Sequence, residues 1–129
     1  MKAFIVSRLH SFRHAFRGWF YALRTQRNAW IHSVVATIVF ILGLWLQLSP
    51  LDWAIIILTI AMVFAAEFMN TAIEAVVDLA SPDTHPLAKI AKDVGAAAVL
   101  VAALAAIIIG LLLLGPPLWL KLTPLFTGK

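Results

Sequence analysis

The 129-residue chain has no cysteine. That excludes disulfides, thiolate metal sites and thiol nucleophiles. Charge is scarce: Asp, Glu, Lys and Arg make up 12% of the residues, about half of what a soluble domain carries. Acidic residues are scarcer still, with six in all. No GxxxxGK[ST] phosphate loop, GxGxxG turn or HExxH pair occurs, so nothing supports a soluble kinase or zinc protease. What fills the chain is hydrocarbon, with 63% hydrophobic residues and a mean hydropathy of +0.98. The length suits one domain, and this composition makes it an integral membrane protein with no room for a separate soluble catalytic domain.

Six of the ten Lys and Arg residues precede Asn28. A basic, amphipathic N-terminus followed by apolar spans fits attraction to anionic lipid headgroups better than nucleic-acid binding. It is not a cleaved signal peptide, because it lacks a compact apolar core and a small-residue cleavage site. Leu9, Phe12, Phe16, Phe20 and Leu23 recur at three- or four-residue steps, with Arg13, Arg17, Arg24 and Arg27 largely opposite. The spacing predicts an anchoring helix over 5–27 on the membrane surface. Its arginines could also contact a substrate's phosphates.

Three transmembrane helices are expected over 29–47, 52–79 and 87–114, giving an all-α membrane fold in one domain, 1–129. The first two are separated by the proline turn Ser49-Pro50-Leu51-Asp52 and the last two by the polar loop Ser81-Pro82-Asp83-Thr84-His85-Pro86. Gly115-Pro116-Pro117 is expected to end the third. The second exceeds the roughly 20 residues a bilayer core requires, so its last turns should emerge into water. Basic residues at the N-terminus and in the 80–93 region, with none in the 47–52 turn, predict a cytoplasmic N-terminus and second loop.

Three of the six acidic residues lie between Glu67 and Asp78. A carboxylate at the middle of a membrane helix costs roughly 2.5–3.5 kcal/mol on insertion scales, which makes this segment the place to look for function. Glu67, Asn70, Glu74 and Asp78 are spaced 3, 4 and 4 and share one helical face. Lys89, Lys92 and Asp93 open the next span. The carboxylates can hold a divalent cation, the lysines can neutralise phosphate oxygens, and the deeper Glu67 can act as general base toward a hydroxyl group arriving from the lipid. The bland alternative is a buried Glu74–Lys92 pair with Asn70 in an interhelical hydrogen bond. Another is a small oligomeric transporter that couples proton movement to these glutamates. His10, His14 and His32 read as interfacial residues, and His85 as a loop residue. The small-residue run Gly95-Ala96-Ala97-Ala98 reads as a packing surface. Three spans cannot easily enclose this much polar surface, so a homo-oligomer with its site near a subunit boundary is expected.

The segment Glu67-x-x-Asn70-Thr71-Ala72-x-Glu74-x-Val76-Val77-Asp78, followed by His85-x-x-Ala88-Lys89-x-Ala91-Lys92-Asp93, resembles the prokaryotic diacylglycerol kinase / undecaprenol kinase family. Arg27-Asn28-x-x-Ile31-His32 is similar to its pattern too, and the resemblance spans about residues 8–114. It implies a homotrimeric kinase of the bacterial inner membrane that uses Mg2+ to transfer the ATP γ-phosphoryl group to a lipid alcohol, either diacylglycerol or undecaprenol. It further implies Glu67 as general base with Asn70 beside it, and Glu74 as metal ligand. Lys92 and Asp93 would contact the nucleotide, with Asp83, Thr84 and His85 in a loop near it. Many members carry a second metal-binding glutamate where this chain has Gln26, a neutral and weaker oxygen donor.

Overall fold

The computed structural model describes residues 2–81, 83 and 85–127, and the side chains of 2–9, 125 and 127 fall outside the description. Among the described residues four helices follow one another: α1 (Lys2–Thr25), α2 (Arg27–Leu46), α3 (Pro50–Ala80) and α4 (Pro86–Thr127). No strand occurs among the described residues. Helices α2, α3 and α4 are each long and apolar enough to cross a membrane.

Helix α1 ends where Gln26 turns extended (φ −107°, ψ 115°), and the Gln26 N–H closes its last turn on the Ala22 carbonyl at 2.8 Å. The stripe residues Phe12, Phe16 and Phe20 are exposed, as are Arg13, Arg17, Arg24 and Arg27. The face turned to the bundle is a different one. Ala22 is buried there, and Trp19 packs against Phe64 and Phe68 of α3, with ring centroids 5.4 and 5.1 Å apart. The amphipathic stripe is therefore left free for the bilayer, as a surface helix requires.

The α2–α3 turn is capped on both sides. Gln47 adopts the left-handed conformation (φ 57°, ψ 49°), which lets the Leu48 N–H reach back to the Gly43 carbonyl at 3.2 Å and satisfy the end of α2. Ser49 and Asp52 then form a reciprocal capping box with Pro50 at the first helical position. Gly43 allows the approach of α3, since a Cβ there would lie 2.8 Å from Trp53 Cη2.

Helix α4 runs through Gly115-Pro116-Pro117 and on past Pro124, where an end at 114 was expected. A proline removes one hydrogen bond and crowds the preceding turn. In apolar surroundings, however, breaking the helix would strand several more backbone groups without water to take them up. The extension also carries Lys121 back to α2, where its Nζ donates to the Trp45 carbonyl and sits 4.7 Å from the Trp45 ring centroid.

The apolar core is a small cluster of Leu46, Ile56 and Leu114 near this turn. Elsewhere the spans bury little. The side chains of Glu67, Asn70 and Thr71 are buried, while Ile57, Leu58, Met62, Leu104, Ile107 and Leu111 are exposed. Apolar side chains outward and polar ones inward is the arrangement a lipid solvent rewards.

Candidate functional site

The predicted stripe on α3 forms, and α2 and α4 close over its deeper half. Glu67 has no exposed surface, and neither of its carboxyl oxygens makes a hydrogen bond of full geometry, although the Ala29 backbone N–H approaches the group as a donor. Its surroundings include the Ala29 backbone amide, the His32 ring and the Glu74 carboxylate, each near enough to act on it electrostatically. Thr71 Oγ1 donates to the Glu67 carbonyl at 2.8 Å, which satisfies that buried hydroxyl within its own helix. One turn on, Asn70 Nδ2 donates to Glu74 Oε1 at 3.0 Å, and Gln26 Nε2, at the α1–α2 junction, donates to Glu74 Oε2 at 2.9 Å. Gly95 of α4 faces Asn70 so closely that a Cβ would stand 2.5 Å from its Oδ1. The glycine in the small-residue run thus makes room for the site as well as for helix packing.

Asp78, at the open end of the stripe, pairs with Lys92 at 2.5 Å. This is a solvent-facing pair worth little to stability. It borders an open cavity of about 520 Å3 whose wall includes Ser81, Asp83, His85, Lys89 and Lys92. His85 caps α4: its Nδ1 accepts from the Leu87 N–H at 3.2 Å, and Pro86 takes the first helical position. With Nδ1 as acceptor, a neutral ring carries its proton on Nε2. The Ser81 hydroxyl donates to the Asp83 carbonyl at 2.9 Å and shapes the loop. Thr84 lies outside the described residues. Asp93 is exposed and lies away from the cavity wall, so within one chain it does not join Lys92 at the site.

The donor set around Glu74 suits magnesium in the way that ion is usually held. Among the described residues no three His, Cys, Asp or Glu side chains cluster as a metal cage. Mg2+ is commonly bound by one or two protein oxygens, with substrate phosphates and water completing its shell. Glu74 supplies a carboxylate, and Gln26 has its carbonyl oxygen left over after donating through its amide nitrogen.

Two features were not legible as site elements in the sequence. His32 was expected at the interface, yet its Nε2 is buried without a partner, beside Glu67. The Trp19–Phe64–Phe68 cluster places α1 against the α3 turn that carries Glu67. The sequence signals for His32 were a polar ring in an otherwise uncharged span and its place in the Arg27-Asn28-x-x-Ile31-His32 pattern.

The model of the prokaryotic diacylglycerol kinase family matches residues 13–114. An undecaprenol kinase from Bacillus subtilis is 48% identical over 108 residues, covering 84% of this chain and 88% of that protein. A diacylglycerol kinase from Synechocystis is 48% identical over 111 residues, covering 85% of this chain but 63% of that longer protein. A diacylglycerol kinase from Escherichia coli is 34% identical over 101 residues, covering 73% of this chain and 83% of that protein.

Proposed function

The chain belongs to the prokaryotic diacylglycerol kinase family, and on that premise we propose that it is a membrane lipid kinase that moves the γ-phosphoryl group of ATP to the hydroxyl group of diacylglycerol or undecaprenol. The observation that carries the mechanism is the placement of Glu67: wholly buried, its oxygens unpaired, on the same helix face as Glu74 and Asp78. At 1.5 Å rise per residue it lies about 10 Å from Glu74 and about 16 Å from Asp78 along the axis. The stripe thus runs from the open cavity into hydrocarbon, where a polar nucleotide and a lipid alcohol could meet end to end.

ATP enters the cavity beside the α4 N-terminus. Lys89 and Lys92 meet its phosphates there, and Lys92 exchanges the Asp78 carboxylate for a phosphate oxygen. The positive end of the α4 helix dipole favours the same anion. Glu74 and Gln26 would hold Mg2+, which supplies charge neutralisation at the phosphates when bound. Asn70 fixes the Glu74 carboxylate through its 3.0 Å hydrogen bond. Glu67 accepts the proton of the alcohol as its oxygen bonds to the γ-phosphorus. The bond between that phosphorus and the bridging oxygen breaks, and ADP leaves. Little else is asked of the protein, because phosphoryl transfer depends on positioning and charge. A homotrimer, with the site shared between subunits, is supported by the family resemblance and by the exposed Asp93. A cytoplasmic N-terminus and a bacterial inner membrane location agree with the Lys/Arg asymmetry.

The test is purified protein in detergent with labelled ATP and each alcohol in turn. Label is expected on at least one of them, and the preferred product identifies the substrate. No transfer to either alcohol would overturn the kinase reading.

A further inference from the structure

His32 takes no part in the chemistry set out above, although it lies beside the base. It projects from α2 one turn after Ala29, whose surface is wholly covered. The Ala29 amide and the His32 ring both lie near enough to the Glu67 carboxyl group to act on its charge. The Nε2 of His32 is buried without a partner, and so are both oxygens of Glu67. Each such group gives up its water without a full hydrogen bond in return. Packing gives no reason to place both at one spot, because an apolar ring at position 32 would cover the same surface at lower cost. The simplest remedy, a direct His32–Glu67 hydrogen bond, is not made. Two unpaired buried groups this near each other define a place for a small polar group with one donor and two acceptor sites. A hydroxyl group is such a partner.

We propose that His32 and Glu67 hold the lipid alcohol's hydroxyl group between them, with His32 Nε2–H donating to the hydroxyl oxygen while the hydroxyl proton points at Glu67. This rests on the lipid-kinase reading. His32 stays neutral and keeps its proton throughout; the proton that moves is the alcohol's, and it goes to Glu67. The hydrogen bond from His32 occupies one lone pair of the attacking oxygen and turns the other toward phosphorus. Such orientation is a large part of what a positioned donor contributes to rate.

The test compares wild type, His32→Leu, His32→Gln and His32→Asn for kcat, for KM of each substrate, and for oligomer size in detergent. Gln carries its amide about as far from the backbone as His carries Nε2, and Asn does not. His32→Leu should lower kcat by roughly 10²-fold, as loss of a preorganised donor does, with KM for ATP unchanged. His32→Gln should recover most of that loss and His32→Asn little of it. Wild-type turnover by His32→Leu, or a loss confined to KM for ATP, would overturn the proposal. If His32→Leu does not fold, the other two variants decide, and equal activity of Gln and Asn overturns it. Failure of wild type to phosphorylate either alcohol would instead bring down the kinase reading and this inference with it.

Discussion

The two ends of the α3 helix are built on opposite rules. At its start, polarity follows the helix dipole: Asp52 sits in the first turn inside a full capping box. Lys121 donates to a carbonyl near the C-terminus of α2, and an apolar cluster fills the space between. Carboxylates near helix starts and cations near helix ends are the stabilising choice. At its other end the signs reverse. Asp78 stands in the last turns of α3, where that helix has no basic residue of its own, while Lys89 and Lys92 occupy the opening turns of α4, which lack an acid in the first. Unpaired buried atoms occur at Glu67, Asn70 and His32. One end is arranged for stability, while the other tolerates unfavourable charge placement and unpaired groups. That contrast is what a site held ready for substrate predicts.

The sharpest way to break this comparison is Glu67→Gln, which keeps the shape and removes the base. Turnover should fall about 10³-fold while KM for ATP holds. Melting in detergent should stay level or rise, because an unpaired buried acid is removed. Initial rates with labelled ATP measure the first, and near-normal turnover would end the assignment of Glu67 as base.

A matched pair of glycines separates the two ends next. In Gly95→Ala the new methyl would meet Asn70 Oδ1 at 2.5 Å, and in Gly43→Ala it would meet Trp53 Cη2 at 2.8 Å. Both should destabilise by about 1–3 kcal/mol, as overpacking does. Only Gly95→Ala should also lower kcat per folded molecule, because Asn70 cannot swing away and keep its bond to Glu74. Equal kcat in the two variants would remove Asn70 from the mechanism.

Gln26→Glu places a second carboxylate where the Gln26 amide now donates to Glu74 Oε2 at 2.9 Å. Without a cation the like charges repel, so the variant should melt below wild type in EDTA, by an amount on the order of 1 kcal/mol. Added Mg2+ should raise its melting point more than it raises that of wild type. Melting that ignores Mg2+ in both proteins would argue against a metal at Glu74.

These variants probe contacts that differ in how far the sequence revealed them. The three spans were plain from their apolar runs, and the stripe from its 3-4-4 spacing, because Asn70 and Glu74 lie within one helix. The Gln26–Glu74 and Gly95–Asn70 contacts, and the approach of His32 to Glu67, join separate elements of the chain. They depend on how α2 and α4 are rotated against α3. A span that is apolar all round carries no stripe to set that rotation, so the partners of the stripe were out of reach. The path of α4 beyond Leu114 escaped for another reason. Proline is a strong helix breaker where water can take up the freed backbone groups, and weaker evidence where it cannot.

The smallest effects are expected at the stable end. Asp52→Ala should cost about 1 kcal/mol through loss of the capping box, with turnover unchanged. Gln47→Gly should go the other way. Gln47 holds a left-handed conformation (φ 57°) that crowds any Cβ and that glycine adopts freely. The Leu48 N–H to Gly43 carbonyl bond at 3.2 Å depends on that conformation, so relief of the strain should not disturb the cap. The gain should be roughly 0.5–1 kcal/mol, because the added freedom of glycine in the unfolded chain offsets part of the relief. Thermal melting in detergent would register it as a modest rise with kcat and both KM values unchanged. A change in kcat from a substitution this far from Glu67 would show that the two ends are coupled, and the division of labour between them would fail.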